Sequence, residues 1–194
     1  SDVLPTYNWS AALRCAVRSV LPQTVQDFEI LVVGDGCTDD SAAVIEELCD
    51  PRLHWHNLEQ NHGSQWAANN HGIEMASADW IAHPGHADLR YPTHLEALLR
   101  TARQHSADVV TSVMIMYGPP GLGLRGVPGV FAGAALSPRD FVPPSALAHS
   151  KAVVQGQGWP EAPKTVLPVD VVFLHNIVAA SPRTASTNEV TCFK

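Results

Sequence analysis

Three acids stand where a folded chain can use them chemically. Asp35 is bracketed by Gly34 and Gly36 at the end of the apolar run Phe28-Glu29-Ile30-Leu31-Val32-Val33. Asp88 lies in the loop Pro84-Gly85-His86-Ala87-Asp88-Leu89-Arg90-Tyr91-Pro92, two residues after an imidazole, and Asp170 opens the run Val171-Val172-Phe173-Leu174. An acid fixed at a strand's carboxyl end accepts hydrogen bonds from a base or ribose, and an aromatic such as Tyr7 stacks on a base. Asp88, with His86, offers a divalent cation the hard oxygen that it shares with phosphates. Together these groups suit a nucleotide. The plainer reading is that Asp35 and Asp39 cap a turn and the next helix, and that Asp170 is a helix amino-terminal cap.

The elements that must hold these residues can be read from hydrophobic periodicity. Val3-Leu4-Pro5 ends a first strand, with Thr6-Tyr7-Asn8 as its exit loop; Leu13, Ala16, Val17, Val20 and Leu21 form one helical stripe that Pro22 closes. The run 28–33 is a strand buried on both faces, followed by a helix bearing Val44, Ile45 and Leu48. Residues 52–58 alternate as a half-buried edge strand; Trp66, Asn69, Asn70 and Ile73 are spaced for a helix; and 80–83 form a short fourth strand. Thr93 and Glu96 have capping-box spacing before a helix faced by Leu95, Leu98, Leu99 and Ala102, and 109–117 is a fifth strand. Strands alternating with helices predict an α/β fold with a mostly parallel, Rossmann-like twisted sheet. Ligands of such sheets bind at the carboxyl ends of the strands, where Tyr7, Asn8, Asp35, His86 and Asp88 all emerge. Beyond residue 117 the pattern is less regular. The glycine- and proline-rich stretch 118–129 predicts a loop or lid, and a helix from Asp170 to Ala180 presents Val171, Leu174, Ile177 and Val178.

Composition narrows the partners. A net charge of -7 with no Lys/Arg cluster excludes a nucleic-acid groove. No G-x-G-x-x-G follows the first strand and no G-K-[ST] occurs, which sets aside the dinucleotide fold and the P-loop. Cys15, Cys37, Cys49 and Cys192 are scattered, with neither a secretory leader nor an apolar run of bilayer length, so a cytoplasmic setting is expected, with peripheral membrane association at most. The 194 residues suit one domain, regular over 1–117 and less so over 118–194, with more chain expected beyond Lys194.

The sequence resembles the family 2 glycosyltransferases of GT-A fold. Leu4-Pro5-Thr6-Tyr7-Asn8 is similar to the family's opening, Ser19-Val20-Leu21-Pro22-Gln23-Thr24 with Asp27-Phe28-Glu29-Ile30 to its first helix end and second strand, and Gly34-Asp35-Gly36-Cys37-Thr38-Asp39 to its nucleotide loop. Asn61-His62-Gly63-Ser64-Gln65 and Asn69-Asn70-His71-Gly72-Ile73 resemble the approach to its third helix. The resemblance implies inverting transfer of a sugar from a nucleotide-diphosphate donor, a UDP-sugar being favoured, to a glycan or glycolipid acceptor of bacterial surface polymers. It implies that Thr6, Tyr7, Asn8, Asp35 and Asn69 surround the nucleotide, that Asp170 is the catalytic base, and that Asp88 with His86 holds Mn or Mg.

One departure bears on the metal. Relatives carry Asp-x-Asp-Asp or Gly-His-Asp-Asp where this chain reads Gly85-His86-Ala87-Asp88, so a carboxylate is missing at position 87. Two alternatives follow: a nucleotide-sugar-binding pseudoenzyme of the same fold, and a nucleotidyltransferase, which would need an early basic glycine-rich loop. His83, His86, Asp88 and His94 can also be read as a zinc cluster, although their spacing fits no standard site.

Overall fold

The computed structural model describes residues 1–118, 121, 123, 125–131, 136–137, 140–164, 166–180 and 183–194. Its first half is a run of parallel crossovers. Strands β1 (Asp2–Thr6), β2 (Ile30–Gly34) and β3 (Leu53–Asn57) lie side by side, Val3 opposite Leu31 and Leu31 opposite His54. Helices α1 (Ser10–Val20), α2 (Ser41–Leu48) and α3 (Trp66–Met75) make the crossovers, and β4 (Trp80–Ala82) pairs with the other side of β1. The continuous apolar runs are explained by burial on both faces. Leu4, Ile30 and Val32 pack with Leu13, Val17 and Ile45 of α1 and α2, whereas Val3 and Leu31 pack with Ile73 of α3. β3 is a half-exposed edge, as its alternation predicts.

β5 (Leu89–Arg90), α4 (His94–His105) and the long β6 (Val109–Tyr117) come next, with β7 (Arg125–Gly126) on β6. β8 (Leu147–Ser150) then inserts between β4 and β6, antiparallel to both, and after α5 (Val169–Ala180) the strand β9 (Thr184–Phe193) returns parallel to β6. The sheet order is β3-β2-β1-β4-β8-β6-β9-β5, mostly parallel as expected. Among the described residues, no helix is long and apolar enough to cross a membrane.

Three expectations need correction. The segment before α4 is not all loop, because Arg90 sits in β5 and buries its guanidinium on Asp2 at 2.6 Å, both side chains 1% exposed. The capping box at Thr93 does not form. Gln23 Oε1 accepts from the Leu95 N–H at 2.9 Å instead, and Glu96 accepts from the Thr24 hydroxyl at 2.8 Å, so the helix start is satisfied by a distant loop. The helix α5 buries Val169, Phe173, Leu174 and Ile177, rotating the predicted stripe toward Phe173; Val171 is only half-buried. Of the expected lid, residues 119, 120, 122 and 124 lie outside the described residues, and Arg125–Gly126 is a strand.

The approach of α3 to β1 depends on a missing side chain. A Cβ at Gly72 would lie 2.4 Å from Val3 Cγ1, and Val3 is fully buried between the layers. Gly72→Ala is therefore expected to destabilise the fold by about 1 kcal/mol net, because overpacking of ~1–3 kcal/mol outweighs the ~1 kcal/mol that Ala gains over Gly in a helix. A lower urea midpoint at unchanged slope would show it; a raised midpoint would mean that α3 moves freely.

Candidate active site

A cleft of about 640 Å³ opens at the carboxyl edge of the parallel strands. It is lined by Thr6 and Tyr7 from the end of β1, Asp35 after β2, residues 83–88 after β4, Asp170 in the first turn of α5, and Lys194 beyond β9. Met116, Phe141 and Pro143–Ser145 complete the lining. The size suits a small molecule. Thus Thr6, Tyr7, Asp35, His86, Asp88 and Asp170, singled out separately in the sequence, share one cleft.

Asp35 is held rigidly. Its Oδ2 accepts from the His62 backbone N–H at 2.9 Å and from Asn61 Nδ2 at 3.2 Å, and its Oδ1 lies 2.8 Å from His62 Nδ1. Gly36, at φ +72°, turns the chain so tightly that a Cβ would reach 2.6 Å from the backbone of residues 60 and 61. Asp35 is 5% exposed and lines the cleft. Tyr7 is half-exposed and offers its ring there.

Asn8 and Asn69 are not brought to the cleft. Asn8 adopts φ 44° and points its Oδ1 at the N–H groups of Thr38 (2.8 Å) and Asp39 (3.2 Å), fixing the loop after β2. Asn69 is fully buried on α3, with Gln65 Oε1 at 3.5 Å. Asp39, also outside the lining, caps two helices at once through the N–H groups of Ser10 and Ser41, each 3.1 Å away. Burial opposes its charge, but the hydrogen bonds of Ser41 and Ser10 win and hold its pKa below the usual value.

The 85–88 turn is closed by a serine. Ser145 Oγ accepts from the Gly85 N–H at 2.8 Å and donates to Asp88 Oδ2; a Cβ at Gly85 would come 2.6 Å from that same oxygen. The other carboxylate oxygen, Oδ1, lies 3.3 Å from Lys194 Nζ. His86 Nδ1 is 3.2 Å from Thr6 Oγ1, and the ring stands edge-on to Trp9 at 5.1 Å. Burial, and next the Lys194 ammonium, lower the His86 pKa against the pull of Asp88. Asp170 is half-buried, its Oδ1 accepting from the Val171 N–H at 3.0 Å.

A family model described as Glycosyl transferase family 2 matches residues 1–128. The chain belongs to glycosyl transferase family 2. It is 31% identical over 109 residues to the uncharacterized glycosyltransferase YibD of Escherichia coli K12 and 33% identical over 115 residues to the glycosyltransferase GlyG of Streptococcus pneumoniae serotype 4. These matches cover 56% and 57% of this chain but 32% and 37% of the relatives, so the chain spans about a third of their length. The crystal structure of S. aureus TarS 1-349 in complex with UDP-GlcNAc superposes over 100% of this chain and 57% of that one, with a TM-score of 0.84 at 19% identity. The mannosyltransferase PcManGT from Pyrobaculum calidifontis, in complex with GDP-Man and Mn2+, covers 100% and 55% with a TM-score of 0.74 at 15% identity. The fold is GT-A, as the resemblance implied.

In this family 2 chain the donor set does not make a resident metal centre. Ala87 supplies no ligand, Asp88 is engaged by Ser145 and faced by Lys194, and His86 is turned to Thr6. No group of three or more His, Cys, Asp or Glu side chains that could hold an ion occurs among the described residues. The zinc reading dissolves likewise, since His83 pairs with His149 at 3.0 Å and His94 with Thr191 at 2.7 Å. Ser145 and Lys194 are the site residues the sequence reading missed. Neither stands in a motif, and only the antiparallel insertion of β8 and the return of β9 bring them to residues 85–88.

Proposed function

We propose that this chain transfers a sugar from a nucleotide-diphosphate donor, a UDP-sugar by preference, to a hydroxyl of a glycan or glycolipid acceptor, with inversion, residues 1–194 acting as one domain. The observation that carries the reading is the meeting of Tyr7, Asp35 and Asp170 in one cleft at the strands' carboxyl edge. The UDP and UDP-GlcNAc complexes of TarS support the choice of base. Tyr7 stacks on the base and Asp35, fixed by Asn61 and His62, accepts hydrogen bonds from base or ribose. Asp170 takes the acceptor's proton as its oxygen attacks the anomeric carbon, on the face opposite the departing diphosphate. Phe141, Met116, Pro143 and Pro144 give the same cleft an apolar lining.

Thermal shift with UDP, GDP, CDP and dTDP tests the donor side, because a ligand that binds only the native state raises its melting temperature. Asp35→Asn is expected to weaken the binding nucleotide by ~10–100-fold, on the scale of hydrogen bonds to a charged group. Unchanged affinity would remove Asp35 from the site. A second reading, donor binding without transfer, is favoured by Ala87; release of nucleotide from the sugar donor by the chain decides against it. The nucleotidyltransferase alternative lacks its basic glycine-rich loop beside Tyr7.

A further inference from the structure

We propose that the cation serving the donor diphosphate in this cleft is the Lys194 ammonium, positioned by Asp88 and Ser145, in place of a divalent ion. The proposal rests on the donor reading above and assigns its charge partner.

Three observations converge on it. Lys194 lines the same cleft as Tyr7, Asp35 and Asp170, with its side chain half-exposed there. Its backbone is pinned, its N–H donating to Ile115 O at 2.9 Å and its carbonyl accepting from the Tyr117 N–H at 2.7 Å, so the ammonium leaves a fixed point of the sheet. Asp88, the one carboxylate left at positions 85–88, is itself anchored by Ser145 and holds Nζ at 3.3 Å from Oδ1. The turn's one carboxylate is thus already matched to one cation, so the positive charge that stands ready at positions 85–88 is an ammonium.

The chemistry balances without a metal. The acceptor oxygen forms its bond to the anomeric carbon while the bond from that carbon to the diphosphate oxygen breaks; the electron pair goes to the diphosphate and the acceptor's proton to Asp170. The diphosphate needs positive charge as it leaves. A lysine supplies it as a compact point charge with three donors. Asp88 keeps that charge in place before the donor arrives and gives up part of it to the phosphates afterwards.

The test compares a nucleoside with its diphosphate on the whole chain, by calorimetry in EDTA and again with Mn2+, using UDP against uridine and GDP against guanosine. The expected result is diphosphate binding in EDTA within about twofold of that in Mn2+. Lys194→Met is expected to lose ~10–100-fold in affinity for the diphosphate and nothing for the nucleoside, with Lys194→Arg recovering most of the loss. Diphosphate binding that requires Mn2+ overturns the proposal, as does a Lys194→Met protein that binds it like the parent or loses nucleoside equally. If neither diphosphate binds in either condition, the donor reading fails and this proposal with it, an outcome distinct from the loss of metal independence alone.

Discussion

Asp170→Asn is expected to slow sugar transfer by ~10²–10⁴-fold while leaving donor affinity within about twofold. The substitution is close to isosteric, and the amide oxygen can keep the hydrogen bond that Asp170 Oδ1 accepts from the Val171 N–H. What is lost is the basic lone pair that receives the acceptor's proton. α5 supplies a rigid platform, since Val169, Phe173, Leu174 and Ile177 lock it into the core and leave Asp170 at its first turn facing the cleft. The assay is release of UDP from UDP-GlcNAc, to water or to an added sugar acceptor, beside calorimetric binding of UDP. Equal loss of rate and of binding would make Asp170 a donor contact; unchanged turnover would place the base elsewhere and sink the transfer mechanism as drawn. Asp170→Glu, with the same group one methylene displaced, should retain part of the rate if proton transfer is the role.

The half of the molecule that was legible in the sequence is the half built from parallel crossovers. A run such as Ile30–Gly34 is apolar because both its faces are covered, and a helix such as α1 shows its buried Leu13, Ala16, Val17 and Val20 at helical spacing, so composition and position carry the same information. Tyr7 and Asp35 were found for that reason, as they end strands whose direction the pattern fixes. Asn8 in the loop after β1 and Asn69 on α3 carry the right residue types, yet local hydrogen bonding and burial take them out of the cleft. The second half hid its logic. β8 is four residues between short 3-10 turns, and β5 is two, lengths at which periodicity says nothing. α5 is apolar almost all round, which names a buried helix but not the side that faces the core. Ser145 and Lys194 matter only through β8 and β9, so no local signal announces them.

Acid should unfold this chain more steeply than its carboxylates alone would, because three imidazoles are buried neutral. His83 at the end of β4 and His149 on β8 meet through their Nε2 atoms at 3.0 Å, enclosed by the stacked rings of Trp159 and Phe173. His149 Nδ1 lies 2.9 Å from Ser150 O, so it carries a hydrogen; His149 Nε2 is then the acceptor and His83 Nε2–H the donor, which leaves His83 Nδ1 bare, with no partner among the described residues. A proton added at that nitrogen puts an unpaired charge in an aromatic cage. One added at His149 Nε2 opposes two N–H groups. Burial accordingly lowers His149 to about 4, and lowers His83 and His94 well below 6.5.

The sign follows from linkage. Between each native pKa and about 6.5 the unfolded chain binds a proton that the native chain does not, so stability is intact above pH 6.5 and falls as pH drops through and below that value. Each group contributes ~1.4 kcal/mol per pH unit in that window, and the three together ~4 kcal/mol between pH 7 and 5.5. Burial raises Glu29, but hydrogen bonds from Ser1 and Ser77 bring it down from 4.5 to about 2, so its contribution is lost only as pH falls through the ordinary carboxylate value and on toward 2, and the upper window belongs to histidine. Urea midpoints at pH 7.5, 6.5 and 5.5 measure the slope, and His149→Gln should make it shallower even where it lowers the midpoint at pH 7.5. A profile flat to pH 5 would mean that the His83 and His149 pair accepts a proton at little cost, and that the tautomers assigned above are wrong.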